Sequence, residues 1–235
     1  MKNQNSLRPH QSAFVLSAIL SVALWFLPFL RWLTVPLQYV NTHVHEGWHA
    51  LTAVATGGMV DHVQVHANGN GETFTVGGWN LFISSAGYLG AALTGALMIT
   101  FARSPRSAKF VLILLAIALS YSLLVWVRSD LFGIVSCAAW IVGLFAIAFV
   151  VPEDKRLFVT QFLGIQQCLN AVQSLFFLVH ISGFGVEQSD AGNMQQFTHI
   201  PAIIWAGLWT LMSLGMMILA LKISWRQQQA EATAN

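Results

Sequence analysis

Charge is what this sequence has least of. Asp, Glu, Lys and Arg make up 9% of its 235 residues, where soluble domains carry about 25%. A large soluble core does not account for that deficit; an integral membrane protein does. The formal net charge is only +2, and no basic cluster marks a nucleic-acid surface, so nucleic acid is excluded as a partner. Cysteine is nearly missing as well. Cys137 and Cys168 both stand in apolar runs, which excludes a disulfide framework and a C-x-x-C metal site. No repeat, low-complexity tract or separate soluble domain interrupts residues 1–235, which read as one domain. Lys2 and Arg8 precede the first apolar run as they would in a signal peptide. That run is long and no small-residue cleavage pattern follows it, so a retained anchor is expected.

What is abundant is apolar sequence, 56% of the chain. Runs of spanning length, about 20 residues, fall near 11–33, 80–102, 108–127, 131–151, 157–181 and 200–223. The stretch 37–56 has the same length but is polar on one side. The pattern predicts an all-α polytopic membrane protein of six to seven transmembrane helices. Residues 226–235 read as a polar tail. Residues 57–79 alternate His62, Gln64 and His66 with Val63 and Val65, turn at "NGNG", and then alternate Thr73 and Thr75 with Phe74 and Val76. This predicts a small β-hairpin. Residues 182–199 form a second long loop, in which Ser189 or Asp190 can cap a short helix. Lys and Arg concentrate in the other connections, at Arg103, Arg106, Lys109, Lys155, Arg156, Lys222 and Arg226. The positive-inside rule therefore places both long loops outside and on the same side. Lys2 and Arg8 break that alternation.

The polar helix carries "HEGWH", an H-E-x-x-H at residues 45–49. Residues four apart share a helix face, so His45 and His49 point the same way. Two imidazoles on one face bind zinc, and a catalytic site adds a third protein ligand. Glu46 is rotated by about 100°, away from the ligand position but placed to take a proton from zinc-activated water. Asn41, Thr52 and Thr56 extend the stripe, which has to face other helices because ionisable groups are costly in lipid. His43 points elsewhere, and His62 and His66 read as an exposed hairpin edge.

A second stripe, Gln166, Gln167, Asn170, Gln173 and Ser174, occupies one side of the span 157–181. Intramembrane amides seek partners on neighbouring helices, and the simplest packing sets this stripe against His45 and His49. Asn170 is then a candidate donor to a substrate carbonyl or oxyanion. Asp190, His180, Glu187, His199 and Asp130 are candidates for the third ligand. Asp130 is better explained by a local pair with Arg128, and spacing alone leaves Asp190 and His180 open. The motif of Gly87, Ala91 and Gly95 favours close helix packing.

Three segments, "HEGWHALTAVATGG", "SSAGYLGAALTGALM" and "SDAGNMQQFTHIPAIIW", resemble the site-2 protease family of intramembrane zinc metallopeptidases, in its compact peptidase-like branch. They cover most of residues 41–205. The resemblance implies His45 and His49 as zinc ligands, Glu46 as general base and Asp190 as third ligand. It also implies that the hairpin after the zinc helix receives unwound substrate as an added strand, and that the site opens toward the cytoplasm. One family feature is lacking: the third ligand usually stands in Leu-Asp-Gly, and here it stands in Ser-Asp-Ala-Gly.

The reading is a membrane-embedded zinc metalloprotease of a bacterial plasma membrane. Its substrate is a membrane protein or peptide, and its surroundings are the lipid bilayer. The alternative is a catalytically inactive relative that binds metal and a partner protein. A bis-histidine haem does not fit, because His45 and His49 on one face cannot take opposite axial positions. Oligomeric state is not legible in the sequence.

Overall fold

The computed structural model describes residues 15–17, 19–21, 23–24, 31–128, 131–181 and 189–233. The described residues of 15–24 are helical and form α1. There follow α2 (Arg31–Ala55), β1 (Met59–Val65), β2 (Gly71–Val76), α3 (Asn80–Phe101), α4 (Pro105–Val125), α5 (Leu131–Phe149), α6 (Glu153–Ile181), α7 (Asp190–Thr198) and α8 (Ala202–Thr233).

Of the described helices, α3, α4, α5 and α8 are long and apolar enough to cross a membrane. This count is of the described residues and does not confirm the six to seven spans expected from apolar runs; much of the run 11–33 lies outside the described residues. The stretches 37–56 and 157–181 are helical, but the histidines of α2 and the amides and N-terminal charges of α6 lower their hydropathy. Away from their ends, the exposed side chains of the four spans are apolar, among them Ile117, Leu124, Val142 and Leu211. Such a surface belongs in lipid. Two boundaries differ from expectation. The helix α2 starts at Arg31 and runs through Pro36, whose carbonyl accepts a hydrogen bond from Trp140 Nε1 at 2.8 Å. The tail at 226–235 continues α8 as far as Thr233, because Gln, Ala, Glu and Arg are good helix formers.

The helix α3 sits at the centre, against α2, α6 and α8. Its small residues make this possible, since bare backbone lets neighbours close in. The Trp48 ring fills the space beside Gly90, and the backbone of Gly95 meets Gly164 and Cys168 of α6. Trp48 Nε1 donates to Thr94 Oγ1 at 2.9 Å, which satisfies the one polar atom of that ring. On the other side of α2, helices α4 and α5 close a core around Leu112, Leu119, Cys137 and Leu144.

The hairpin is antiparallel, with a bulge between Val60 and His62. It does not project as a free loop. It folds back along α2: Tyr39 Oη donates to the Ala67 carbonyl at 2.8 Å, and Thr42 Oγ1 to the Gly69 carbonyl at 2.7 Å. The segment after α4 adds to the outer edge of β1. Val63 N donates to the Trp126 carbonyl at 2.8 Å, and Arg128 N to the Val63 carbonyl at 3.1 Å. The hairpin's turn thus lies against Tyr39 and Thr42, which brings β2 alongside the middle of α2.

Candidate metal centre

The middle of α2 carries four buried ionisable side chains in seven residues: His43, His45, Glu46 and His49. Each has a separate surrounding. His43 faces α5, where its Nε2 is 2.9 Å from Ser136 Oγ. His45 and His49 face α3 and α7. Glu46, between them in sequence, faces the hairpin.

Three donor atoms converge on the α3 side. His45 Nε2 and His49 Nε2 are 3.0 Å apart. Asp190 Oδ2 lies 2.9 Å from the first and 3.2 Å from the second. Tetrahedral zinc with bonds of about 2.0–2.1 Å holds its ligand atoms about 3.3 Å apart, so this triangle fits one ion. The chemistry of the set fits too. His49 Nδ1 donates to the Ile83 carbonyl at 2.5 Å, which leaves the Nε2 lone pair of the neutral ring directed at the cluster. The His49 lone pair, His45 Nε2 and a carboxylate oxygen face one another, an arrangement that a positive charge among them satisfies. Together His45, His49 and Asp190 can hold a metal ion.

The helix α3 passes close to this cluster at Gly87. A Cβ there would collide with His45 Cε1 and Nε2 and with His49 Nε2. The Tyr88 ring stands edge-on to His45, with centroids 4.4 Å apart, and its hydroxyl meets Ser174 Oγ of α6. Asp190 is delivered by α7. Ser189 caps this nine-residue helix by accepting from Gly192 N at 3.1 Å. Ala191 and Met194 pin it against Ala202, Ala206 and Trp209. The helix N-terminus favours a carboxylate at its first residue. Burial alone would raise the Asp190 carboxyl, but positive charge on the facing His49 and His45 rings, the charge that a bound cation would otherwise supply, outweighs burial and holds it below the usual carboxylate range.

Glu46 takes no part in the triangle. Its Oε2 accepts from Thr73 Oγ1 of β2 at 2.7 Å, and Gly71 of the same strand lies over it, where a Cβ would fall 2.7 Å from Glu46 Cγ and Oε1.

The other residues read from the sequence lie apart. Asn170 is half-buried on α6, and among the described residues no hydrogen bond joins it to the cluster. Helix α6 packs chiefly on α3 and α8 and more lightly on α2, which bears the histidine stripe. Among the described residues its amide stripe is joined to the cluster through Ser174 and Tyr88. His180 lies in the last turn of α6, with its side chain outside the described residues, as are Asp130 and Glu187 altogether. His199 ends α7 in a left-handed conformation, φ 60°. His62 stacks on Phe74 and pairs with Asp61 on the hairpin. Three neighbours of the site were not singled out for it beforehand: Thr73, Gly87 and Tyr88. Gly87 was legible as a packing residue and Thr73 as a strand residue, and a tyrosine inside an apolar run was the available signal for Tyr88.

Apolar helices of spanning length around a His–His–Asp cluster, its histidines buried and its aspartate partly so, define an integral membrane protein with a metallopeptidase-like site. The sequence model of the Peptidase M50B-like family matches residues 14–220. The chain belongs to that family, in keeping with its resemblance to site-2 proteases. No curated protein and no solved structure matches it.

Proposed function

We propose that the chain is a zinc metalloendopeptidase that hydrolyses a peptide bond of a membrane protein or peptide within or near the bilayer. The observation that carries this reading is the convergence of His45 Nε2, His49 Nε2 and Asp190 Oδ2 within 3.2 Å beside a buried, separately held glutamate. His45, His49 and Asp190 would hold the ion, and Glu46 is the general base. Zinc bound there would polarise the scissile carbonyl and activate water. Glu46 takes the proton of the attacking water on its carboxylate and passes it to the leaving amine. The hairpin and α3 shield that exchange from bulk solvent. Substrate enters as an extended strand beside β2, a mode in which main-chain hydrogen bonds supply affinity.

The test uses full-length protein co-expressed with single-span membrane proteins and purified for metal analysis. Wild type should hold about one zinc per chain. Glu46→Gln should keep that zinc and lose cleavage by at least about a hundredfold. A Glu46→Gln variant that cleaves like wild type would defeat the mechanism. A zinc-loaded wild type that cleaves none of them points instead to the inactive, partner-binding relative.

A further inference from the structure

The hairpin's main chain and the Glu46 carboxylate meet in one residue, Thr73. Its Oγ1 lies 2.7 Å from Glu46 Oε2 and 3.1 Å from the Glu46 carbonyl. A hydroxyl has one proton to give, and a carboxylate is the stronger acceptor. Glu46 is 4% exposed, so bulk water does not compete for that proton. Gly71 closes the other side of the carboxylate. The base is thereby held between a hydroxyl and a stretch of bare backbone, both from β2.

The direction of Thr73's own main chain follows from its partner across the ladder. Val63 is opposite Thr73. The N–H and carbonyl of Val63 are both used on the Trp126–Arg128 side, away from β2. In an antiparallel pair, opposite residues either exchange both bonds or turn both away. The N–H and carbonyl of Thr73 therefore point away from β1, to the outer edge of β2. Alternation along the strand gives the main chains of Gly71 and Thr75 the same direction and sets the Thr73 and Thr75 side chains, with the bare Cα of Gly71, on the face toward α2. The exposure pattern agrees: residues 71, 73 and 75 are partly covered while 72, 74 and 76 are exposed. Among the described residues no strand or bridge pairs with that edge.

We propose that Thr73 is a positioning residue that couples a peptide docked on the β2 edge to the catalytic base. Its main chain holds the substrate strand while its hydroxyl holds Glu46. The inference rests on the metallopeptidase reading above. It requires the substrate to be extended around the cleaved bond, because a helical segment has no free N–H and carbonyl groups to offer an edge.

Full-length protein in detergent, assayed with quenched fluorescent casein as an extended probe, provides the test. Thr73→Val keeps the shape, the β-branching and the main chain, and removes only the hydroxyl. It should lower kcat by about tenfold or more, leave KM within about twofold, and keep the zinc content and Tm of wild type. Thr73→Ser should recover most of the lost kcat. An unchanged kcat in Thr73→Val, a loss confined to KM, or a Thr73→Ser variant as slow as Thr73→Val would each overturn the proposal. Glu46→Gln separates the two levels. If it is inactive and zinc-loaded while Thr73→Val is unimpaired, only the role of Thr73 fails; if it cleaves like wild type, the metallopeptidase reading fails and takes this proposal with it.

Discussion

His49 is fixed from behind by the Ile83 carbonyl and in front by Asp190, and both Ile83 and Gly87 belong to the first turns of α3. The position of that helix therefore sets the ring. Gly87 is where the approach is closest, and a side chain there would press on both imidazoles of the candidate metal centre. Gly87→Ala should raise the helix's intrinsic preference by about 1 kcal/mol, yet its methyl would push against both imidazoles. The expected outcome is a folded protein, with Tm near that of wild type, whose zinc affinity in chelator competition falls by about tenfold or more. Retained affinity would mean that the rings can yield. Asp190→Asn asks a different question of the same cluster. It keeps the shape and the Ser189 cap but removes the negative charge, so zinc content after dialysis should drop well below one per chain. Full retention would remove Asp190 from the ligand set.

At the scale of elements, the histidine helix and the hairpin were both legible in the sequence. H-E-x-x-H names a helix face by its spacing, and "NGNG" between alternating runs names a turn. The hairpin's return along α2 was not legible, because it depends on hydrogen bonds from Tyr39 and Thr42 to carbonyls about 27 residues away that carry no sequence pattern. The place of α6 was legible only in part, for a related reason. Its amides suggested a polar partner, but the choice of neighbour was made by bare backbone at Gly95 and Gly164. The direction of the β2 edge was likewise hidden until Val63 was seen to bond Trp126 and Arg128. That direction has a test of its own. Thr75 turns its N–H outward, so Thr75→Pro should leave the hairpin paired while removing one contact to a docked strand. KM for casein should rise about threefold to tenfold with kcat nearly kept. Phe74, one residue earlier, turns its N–H into the ladder against His62. Phe74→Pro should therefore open the hairpin, seen as faster amide exchange through residues 59–76, and should lower kcat as Glu46 loses its seat. If the two prolines behave alike, the edge assignment is wrong.

Across the whole molecule the two ends of the bundle differ in charge. The α3–α4 and α5–α6 turns lie together, since Arg156 donates to the Pro105 and Val151 carbonyls and Gln161 to the Ala102 carbonyl. Ala220 packs near this end with Ile99 and Ile165, which brings Lys222 to it. Arg103, Arg106, Lys109, Lys155 and Arg156 are there too, while the hairpin, the Trp126–Arg128 segment and α7 occupy the opposite end. The excess of Lys and Arg predicts that the first end is cytoplasmic, so the hairpin and the metal centre approach the other face. Site-directed labelling can read this directly, because Cys137 and Cys168 are fully buried and give an impermeant maleimide little background. Glu153, Ala67 and Gln196 are exposed, and none is a Lys or Arg that the rule counts. In sealed vesicles of known orientation, Glu153→Cys should label from the cytoplasmic side, and Ala67→Cys and Gln196→Cys from the opposite side. A full inversion of this pattern would keep the fold and overturn the charge argument, placing the site toward the cytoplasm as the site-2 protease resemblance implies. Labelling of Ala67→Cys and Glu153→Cys from one face would contradict the arrangement itself, because the three spans α3, α4 and α5 lie between those two positions.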